Sequence, residues 1–89
     1  MKGIITVLGK DRVGIIAKVC TYLSEQGINI LDISQSIVQG YFNMLMIADF
    51  TASGERFIQI SEELEKLGGE IGVKIKLQHE DIFNTMHKV

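Results

Sequence analysis

The amino-acid sequence predicts one α+β domain in which two helices pack on a four-stranded sheet. Apolar, β-branched runs alternate with stretches of helical periodicity in the order strand, helix, strand, strand, helix, strand. The 89 residues suffice for a single domain. Hydrophobic residues make up 46% of the chain, which is generous for this length, so we expect some apolar surface to meet a partner.

Composition and charge argue against several classes of protein. The formal net charge of −2 argues against nonspecific nucleic-acid binding, which requires an excess of Lys and Arg. The single cysteine, Cys20, lies in an apolar helical pattern and indicates a buried thiol in a reducing compartment. Met1-Lys2 runs directly into a strand without a signal peptide, and the apolar runs are shorter than the about 18 residues of a membrane span. We therefore expect a cytoplasmic protein without a membrane segment.

The first strand and the loop after it organise the prediction. Residues 2–8 form a strand with apolar residues on both faces, which predicts a central position in the sheet. The polar segment 9–14, Gly-Lys-Asp-Arg-Val-Gly, indicates a turn that ends in a helix start, with Asp11 as the N-cap. A helix start exposes backbone N–H groups and a partial positive charge, which can hold a carboxylate or a phosphate.

Two interpretations of this loop are open from the residues alone. Gly14, predicted in the first helical turn, has no side chain, so a ligand or a neighbouring subunit could approach the backbone closely. The carboxylate of an amino acid would bind the backbone N–H groups and Arg12, and its ammonium group would bind Asp11. Alternatively, Asp11 only caps the helix and Arg12 points into water.

The first predicted helix covers residues 12–26 and ends at Gly27. It carries two adjacent apolar stripes, one formed by Val13, Ile16, Ala17, Cys20 and Leu23 and the other by Ile15, Val19 and Tyr22. A helix that packs on one sheet needs only one such stripe. The second stripe is therefore expected to meet another element or another chain.

The next two predicted strands form a hairpin. Residues 28–39 form a long strand whose apolar phase changes between Ile30 and Leu31, which predicts a bulge. Gly40-Tyr41 is predicted as the two-residue turn. Residues 42–50 then return as an apolar, central strand.

The remaining pattern gives a helix, a strand and a tail. Ser53 is the predicted N-cap of the second helix, which Gly68-Gly69 is expected to end. Residues 72–79 alternate as a half-exposed strand, with lysines that discourage pairing at its edge. Residues 80–88 are predicted as a short amphipathic helix.

These elements predict a ferredoxin-like fold. The order βαββαβ with right-handed crossovers interleaves two βαβ units into an antiparallel sheet with both helices on one face. The first and third strands are then central. We expect a domain over residues 1–79, and a tail over residues 80–89 that packs on the domain or on a partner subunit.

Catalytic and metal chemistry find little support in the sequence. The loop after the first strand lacks the Cys-x-x-Cys of a copper chaperone, and the central strands lack the basic residues of an RNA-binding sheet. His79 and His87 are not in metal-ligand spacing with Cys20. No catalytic residue, metal ligand or cofactor is predicted.

The sequence resembles an ACT domain over residues 1–79. The resemblance rests on the first strand, the loop Gly9-Lys10-Asp11-Arg12-Val13-Gly14, and the later Gly27-Ile28-Asn29-Ile30. The closing segment, with Glu80-Asp81-Ile82-Phe83-Asn84, is similar to that of small stand-alone bacterial ACT proteins, which are related to the ACT regulator of the glycine-cleavage operon. Many ACT domains have proline where this chain has Val13, and proline would stiffen the loop.

The resemblance implies a regulatory module that binds small molecules, usually amino acids, at a subunit interface. The loop of one domain and the second strand of a neighbouring domain typically form the site. By position, this implies ligand contacts from Lys10, Asp11, Arg12, Val13, Gly14, Asn29, Ile30 and Leu31.

The function predicted from the sequence is amino-acid sensing by a homodimer that is not an enzyme. The chain carries no domain to be controlled, so its output is expected to pass to a separate effector protein, without direct contact to nucleic acid or membrane. One alternative is a ligand-free interaction module that docks on a metabolic enzyme or a transcription factor. Another is a small enzyme that uses His79 or His87.

Overall fold

The computed structural model describes residues 1–10 and 13–81. Along the chain lie β1 (Lys2–Lys10), α1 (Ile15–Glu25), β2 (Asn29–Val38), β3 (Tyr41–Asp49), a 3₁₀ turn (Gly54–Arg56), α2 (Phe57–Ile71) and β4 (Val73–His79). This is the predicted βαββαβ order. The predicted C-terminal helix lies outside the described residues from residue 82 onward.

The strands form one antiparallel sheet in the order β2-β3-β1-β4. The predicted central positions of the first and third strands are therefore confirmed, as is the ferredoxin-like α+β fold. Ile5 of β1 lies opposite Met46 on one side and Leu77 on the other. Such cross-strand neighbours point to the same face of a sheet, so this row belongs to the side that packs on the helices.

The core fills the space between the sheet and the two helices. Each helix buries one stripe with a spacing of four residues, and every second residue of the central strands meets these stripes. The buried stripes are Ile15, Val19 and Leu23 of α1 and Ile60, Leu64 and Gly68 of α2. The predicted stripes of α1 are thus partly wrong, because Leu23 joins Ile15 and Val19 in the core whereas Ala17 is exposed.

Within residues 1–10 and 13–81, the other side of the sheet carries no helix. We call it the open face, and on β1 it consists of Ile4, Thr6 and Leu8. On β3 the register adds Leu45 and Ile47 to this face.

Two polar contacts join α1 to the segment around α2. The Tyr22 hydroxyl donates a hydrogen bond to a carboxylate oxygen of Glu63. Burial, and then this hydrogen bond, raise the pKa of Tyr22, and the same bond lowers the pKa of Glu63. Arg56 contacts the side chain of Gln26 and donates to its backbone oxygen at 3.4 Å, which fixes the end of α1.

Two predicted boundaries are wrong for a backbone reason. The α2 helix continues through Gly68-Gly69 to Ile71 and ends at Gly72, whose φ of 80° is left-handed. Gly68 lies inside the helix, where α2 packs closely on β4. A β-carbon there would lie 2.7 Å from the backbone oxygen of Val73, so this position requires glycine. Ser53 precedes the 3₁₀ turn, but its side chain makes no capping hydrogen bond.

The β2–β3 hairpin also differs from the prediction at its turn. Val38 pairs with Tyr41, so Gln39 and Gly40 form the turn, with φ of 52° and 81°. Positive φ at both positions is typical of a type I′ turn, whose twist matches that of the strands. The predicted bulge is confirmed, since the register shifts between Ile30 and Asp32.

We expect opposite effects from alanine at the adjacent positions Gly68 and Gly69. Gly69→Ala should stabilise the protein by up to about 1 kcal/mol, because alanine favours a helix and the new methyl group meets no atom within 4 Å. Gly68→Ala should destabilise it, because α2 must move away from β4. Urea unfolding of both variants measures the difference, and a stabilising Gly68→Ala would contradict the close packing.

We expect the Tyr22–Glu63 hydrogen bond to stabilise the fold at neutral pH and less in acid. The pKa of Glu63 is lowered in the folded state, so this stabilisation is present above its ordinary pKa of 4.5 and is lost as pH falls through the lowered value. Tyr22→Phe should therefore cost stability at pH 6 and much less at pH 3, as measured by urea unfolding. The matched control is Glu63→Gln. In this variant the free energy of unfolding should fall less between pH 6 and pH 3. An equal cost of Tyr22→Phe at both pH values would contradict the assignment.

Candidate ligand-binding site

The loop after β1 forms the first half of the predicted site. Lys10 ends β1 as an exposed residue opposite Tyr41, whereas Asp11 and Arg12 lie outside the described residues. The α1 helix begins at Ile15, and Gly14 occupies the N-cap position. The prediction that Asp11 caps a helix from residue 12, with Gly14 in its first turn, is therefore wrong.

Gly14 has a specific conformational role at this helix start. Its φ of 89° is left-handed, which favours glycine, and a β-carbon there would meet no atom within 4 Å. The first turn of α1 contains no acidic residue, and no side-chain hydrogen bond caps it among the described residues. The positive end of the helix dipole thus meets no acidic side chain from its own first turn, which suits it to an anion.

A pocket of about 250 Å³ lies at this helix start, next to the end of α2. Its lining is formed by Val13, Gly14, Ile15, Lys18, Glu70 and Ile71. The loop residues Val13 and Gly14 were predicted to belong to the site, whereas Lys18 and Glu70 were not. A cation and a carboxylate thus face the same pocket as the helix terminus, a combination that can hold both charged groups of an amino acid.

The start of β2 forms the second half of the predicted site. Asn29 and Leu31 are exposed, Ile30 is half-buried, and Leu31 is the bulged residue. A shallow hollow of about 490 Å³ lies here, lined by Cys20, Ser24, Gly27, Ile28, Asn29 and Ile30. Burial raises the pKa of the Cys20 thiol, which favours the neutral thiol over a nucleophilic thiolate.

The two halves lie at opposite ends of the sheet within one chain. Asn29 pairs with Asp49, which pairs with Lys2 at the start of β1. Lys10, at the other end of β1, pairs with Tyr41. The length of β1 therefore separates the halves by about 26 Å at about 3.3 Å per residue. One chain cannot bring all the predicted contacts to a single small ligand.

The edge strand β2 carries half of the exposed large hydrophobic residues of the described chain. Four exposed hydrophobic residues lie along this edge strand, namely Leu31, Ile33, Ile37 and Val38. The register places Ile33 and Ile37 on the helix side, opposite the buried Met46 and Phe42, but the helices do not cover them. The predicted stripe of α1 that contains Cys20 borders this region, since Cys20 lines a hollow with Ile30.

The described histidine of the enzyme alternative, His79, does not reach the loop. His79 lies opposite Gly3, at the end of the sheet away from Lys10, and its ring is 6.1 Å from that of Phe57. His87 lies outside the described residues. Within residues 1–10 and 13–81, no three His, Cys, Asp or Glu side chains group to hold a metal ion.

A family model of the ACT domain matches residues 3–78 of the chain. The chain belongs to the ACT-domain family. It is also 54% identical over 88 residues to a UPF0237 protein of Bifidobacterium longum, a match that covers 99% of this chain and 98% of the relative. The family resemblance predicted from the loop and the second strand is thus confirmed.

Solved structures of ACT proteins match the fold. An ACT domain protein from Streptococcus pneumoniae superposes with a TM-score of 0.83 and 41% identity, covering 93% of both chains. A putative glycine cleavage system transcriptional repressor matches with a TM-score of 0.75 and 25% identity, covering 89% of this chain and 47% of the repressor. ACT domains are in general regulatory domains that bind small molecules. In the described part of the chain, no helix is long and apolar enough to span a membrane.

Proposed function

We propose that this ACT protein is a cytoplasmic, non-catalytic sensor that binds an amino acid between two copies of the chain. The observation that carries the proposal is the separation of the two half-sites to opposite ends of the sheet, beside an exposed apolar edge strand. A second copy that pairs along this edge would join them.

Antiparallel pairing of two β2 edges would bring the two half-sites to the same end of a joined sheet. A two-fold axis at the middle of β2 would place the Asn29 end of one strand next to the Val38 end of the other. Val38 pairs with Tyr41, and Tyr41 with Lys10, so the partner's Asn29–Leu31 would approach the end of the sheet from which the β1–α1 loop leaves. The same operation forms a second, equivalent site, and it buries Ile33 and Ile37.

The charges around the pocket suit an α-amino acid. The start of α1 and the Lys18 ammonium would bind the carboxylate, and the Glu70 carboxylate would bind the ammonium group. Asp11 and Arg12 extend the loop in sequence. Asp11 would add a contact to the ammonium group, and Arg12 would add a contact to the carboxylate. Asn29 and Leu31 of the second copy would then cover the ligand side chain.

The comparisons support a regulatory role. The chain matches nearly the whole length of the Streptococcus pneumoniae ACT protein, and a glycine cleavage system repressor shares its fold. The signal would pass to a separate effector protein, whose docking surface would differ between the free and the ligand-bound dimer. The alternative from another class remains a ligand-free module that uses the β2 edge to dock on another protein.

Thermal unfolding against the twenty amino acids tests ligand binding. A ligand at a hundred times its dissociation constant stabilises the folded state by about 2.7 kcal/mol, a shift of about 10 °C or more for a chain of this size. Lys18→Met and Glu70→Gln should weaken binding by about tenfold or more, because each removes a charge-assisted hydrogen bond. The matched controls are Lys66→Met and Glu62→Gln on the exposed surface of α2, which should leave binding unchanged. No shift with any amino acid, or equal losses in the controls, would contradict the proposed sensor.

Substitutions on two exposed isoleucines test the dimer. Ile37→Lys should convert the dimer to monomers in sedimentation experiments at micromolar concentration, because it places a charge within the apolar edge that the two chains would share. Ile58→Lys is the matched control, since Ile58 is 73% exposed on α2, away from the sheet edge. A dimer that survives Ile37→Lys, or one that Ile58→Lys disrupts, would show that the chains associate elsewhere.

A further inference from the structure

The open face of the sheet is buried at one end and exposed at the other. Ile4 and Leu8 both lie on this face of β1, yet Ile4 is 3% exposed and Leu8 is 52% exposed. Ile4 does not belong to the core cluster between the sheet and the helices. Its burial therefore has a different cause from that of Ile5 and Val7.

The sheet itself does not provide this cover. The nearest cross-strand neighbours of Ile4 are Ile47 on β3 and Gln78 on β4. They flank Ile4 within the sheet in the same way as Asn43 and Lys74 flank the exposed Leu8. Both described helices lie on the opposite side. The burial of Ile4 is that of a single chain, so cover from the same chain would account for it without a second copy.

The chain leaves the sheet next to Ile4. The backbone N–H of Glu80 donates to the oxygen of Lys2 at 3.0 Å, which places Glu80 beside Lys2 at this end of the open face. The next residue is also held, because the Asp81 N–H donates to His79 Nδ1 at 3.1 Å. The described chain therefore ends close to Ile4 and far from Leu8.

The composition of residues 82–89 fits an apolar surface of this size. Its apolar residues, Ile82, Phe83, Met86 and Val89, recur at the spacing of one helical face. As a helix the segment would span about 12 Å, close to the about 13 Å of strand between Ile4 and Leu8. A helix this short is not stable alone in water, so it would form only against a surface.

We propose that residues 82–89 dock on the open face of their own chain, with Phe83 and Met86 over Ile4 and Ile47. Docking in this position would cover the Lys2 end of the face and leave Leu8 exposed, in agreement with the burial of Ile4 and the exposure of Leu8. This docking hinders two chains from pairing face to face, so it directs their association to the β2 edge. The proposal does not depend on amino-acid binding and can hold if the sensor function fails.

Full-length variants test the docking by thermal unfolding. Phe83→Ala should lower the melting temperature by about 5 °C or more, whereas Thr85→Ala, on the polar side of the segment, should change it by about 1 °C or less. The loss from Phe83→Ala combined with Ile4→Ala should be smaller than the sum of the single losses, because both remove the same contact. The matched pair, Phe83→Ala with Leu8→Ala, should be additive. No loss from Phe83→Ala, or additivity with Ile4→Ala, would overturn the proposal.

A measurement on the unmodified chain separates docking within a chain from exchange between chains. Nuclear Overhauser contacts between the Phe83 ring and the Ile4 and Ile47 methyl groups should occur in labelled protein. They should be absent between chains in an equal mixture of labelled and unlabelled protein refolded together. Contacts between chains, or no contacts at all, would overturn the proposal. This readout is independent of whether the alanine variants fold.

Discussion

The position of β1 between β3 and β4 sets where the rest of the molecule lies. This strand pairs along its length on both sides, and it packs Ile5 and Val7 against the helices. Its direction fixes the β1–α1 loop and the charged pocket at the Lys10 end. It also fixes the exit of the chain at the Lys2 end, through the bond from Glu80. The candidate ligand pocket and Glu80, where the chain leaves the sheet, therefore lie at opposite ends of one strand.

The features that could be predicted from the sequence depend on local periodicity. The order of elements, the central strands and the bulge at Leu31 follow from where the apolar residues fall, and the structure confirms them. The boundaries could not be predicted, because they depend on backbone conformation and tertiary contact. A glycine in the sequence does not reveal that Gly14 and Gly72 are left-handed, or that Gly68 lies inside a helix against Val73.

The sequence predicted only part of the candidate site. The family resemblance indicated the loop and the start of β2, but only the strand order shows that these lie about 26 Å apart in one chain. Lys18 and Glu70 were missed because they belong to different helices that only tertiary packing brings to the same pocket. Lys18 could have been predicted as a pocket residue, because it lies one helical turn after Gly14 and therefore on the same side of the helix.

The central claim is that each ligand site combines the β1–α1 loop of one chain with the start of β2 of another. The most direct test mixes two weakly binding variants, Lys18→Glu and Asn29→Ala, refolds them together, and measures binding by calorimetry with the amino acid that stabilises the unmodified protein. In a mixed dimer one site receives both changes and the other receives neither. The account predicts unmodified affinity at about a quarter of the sites, because about half of the dimers are mixed. A mixture that binds no better than the two variants measured separately would contradict it.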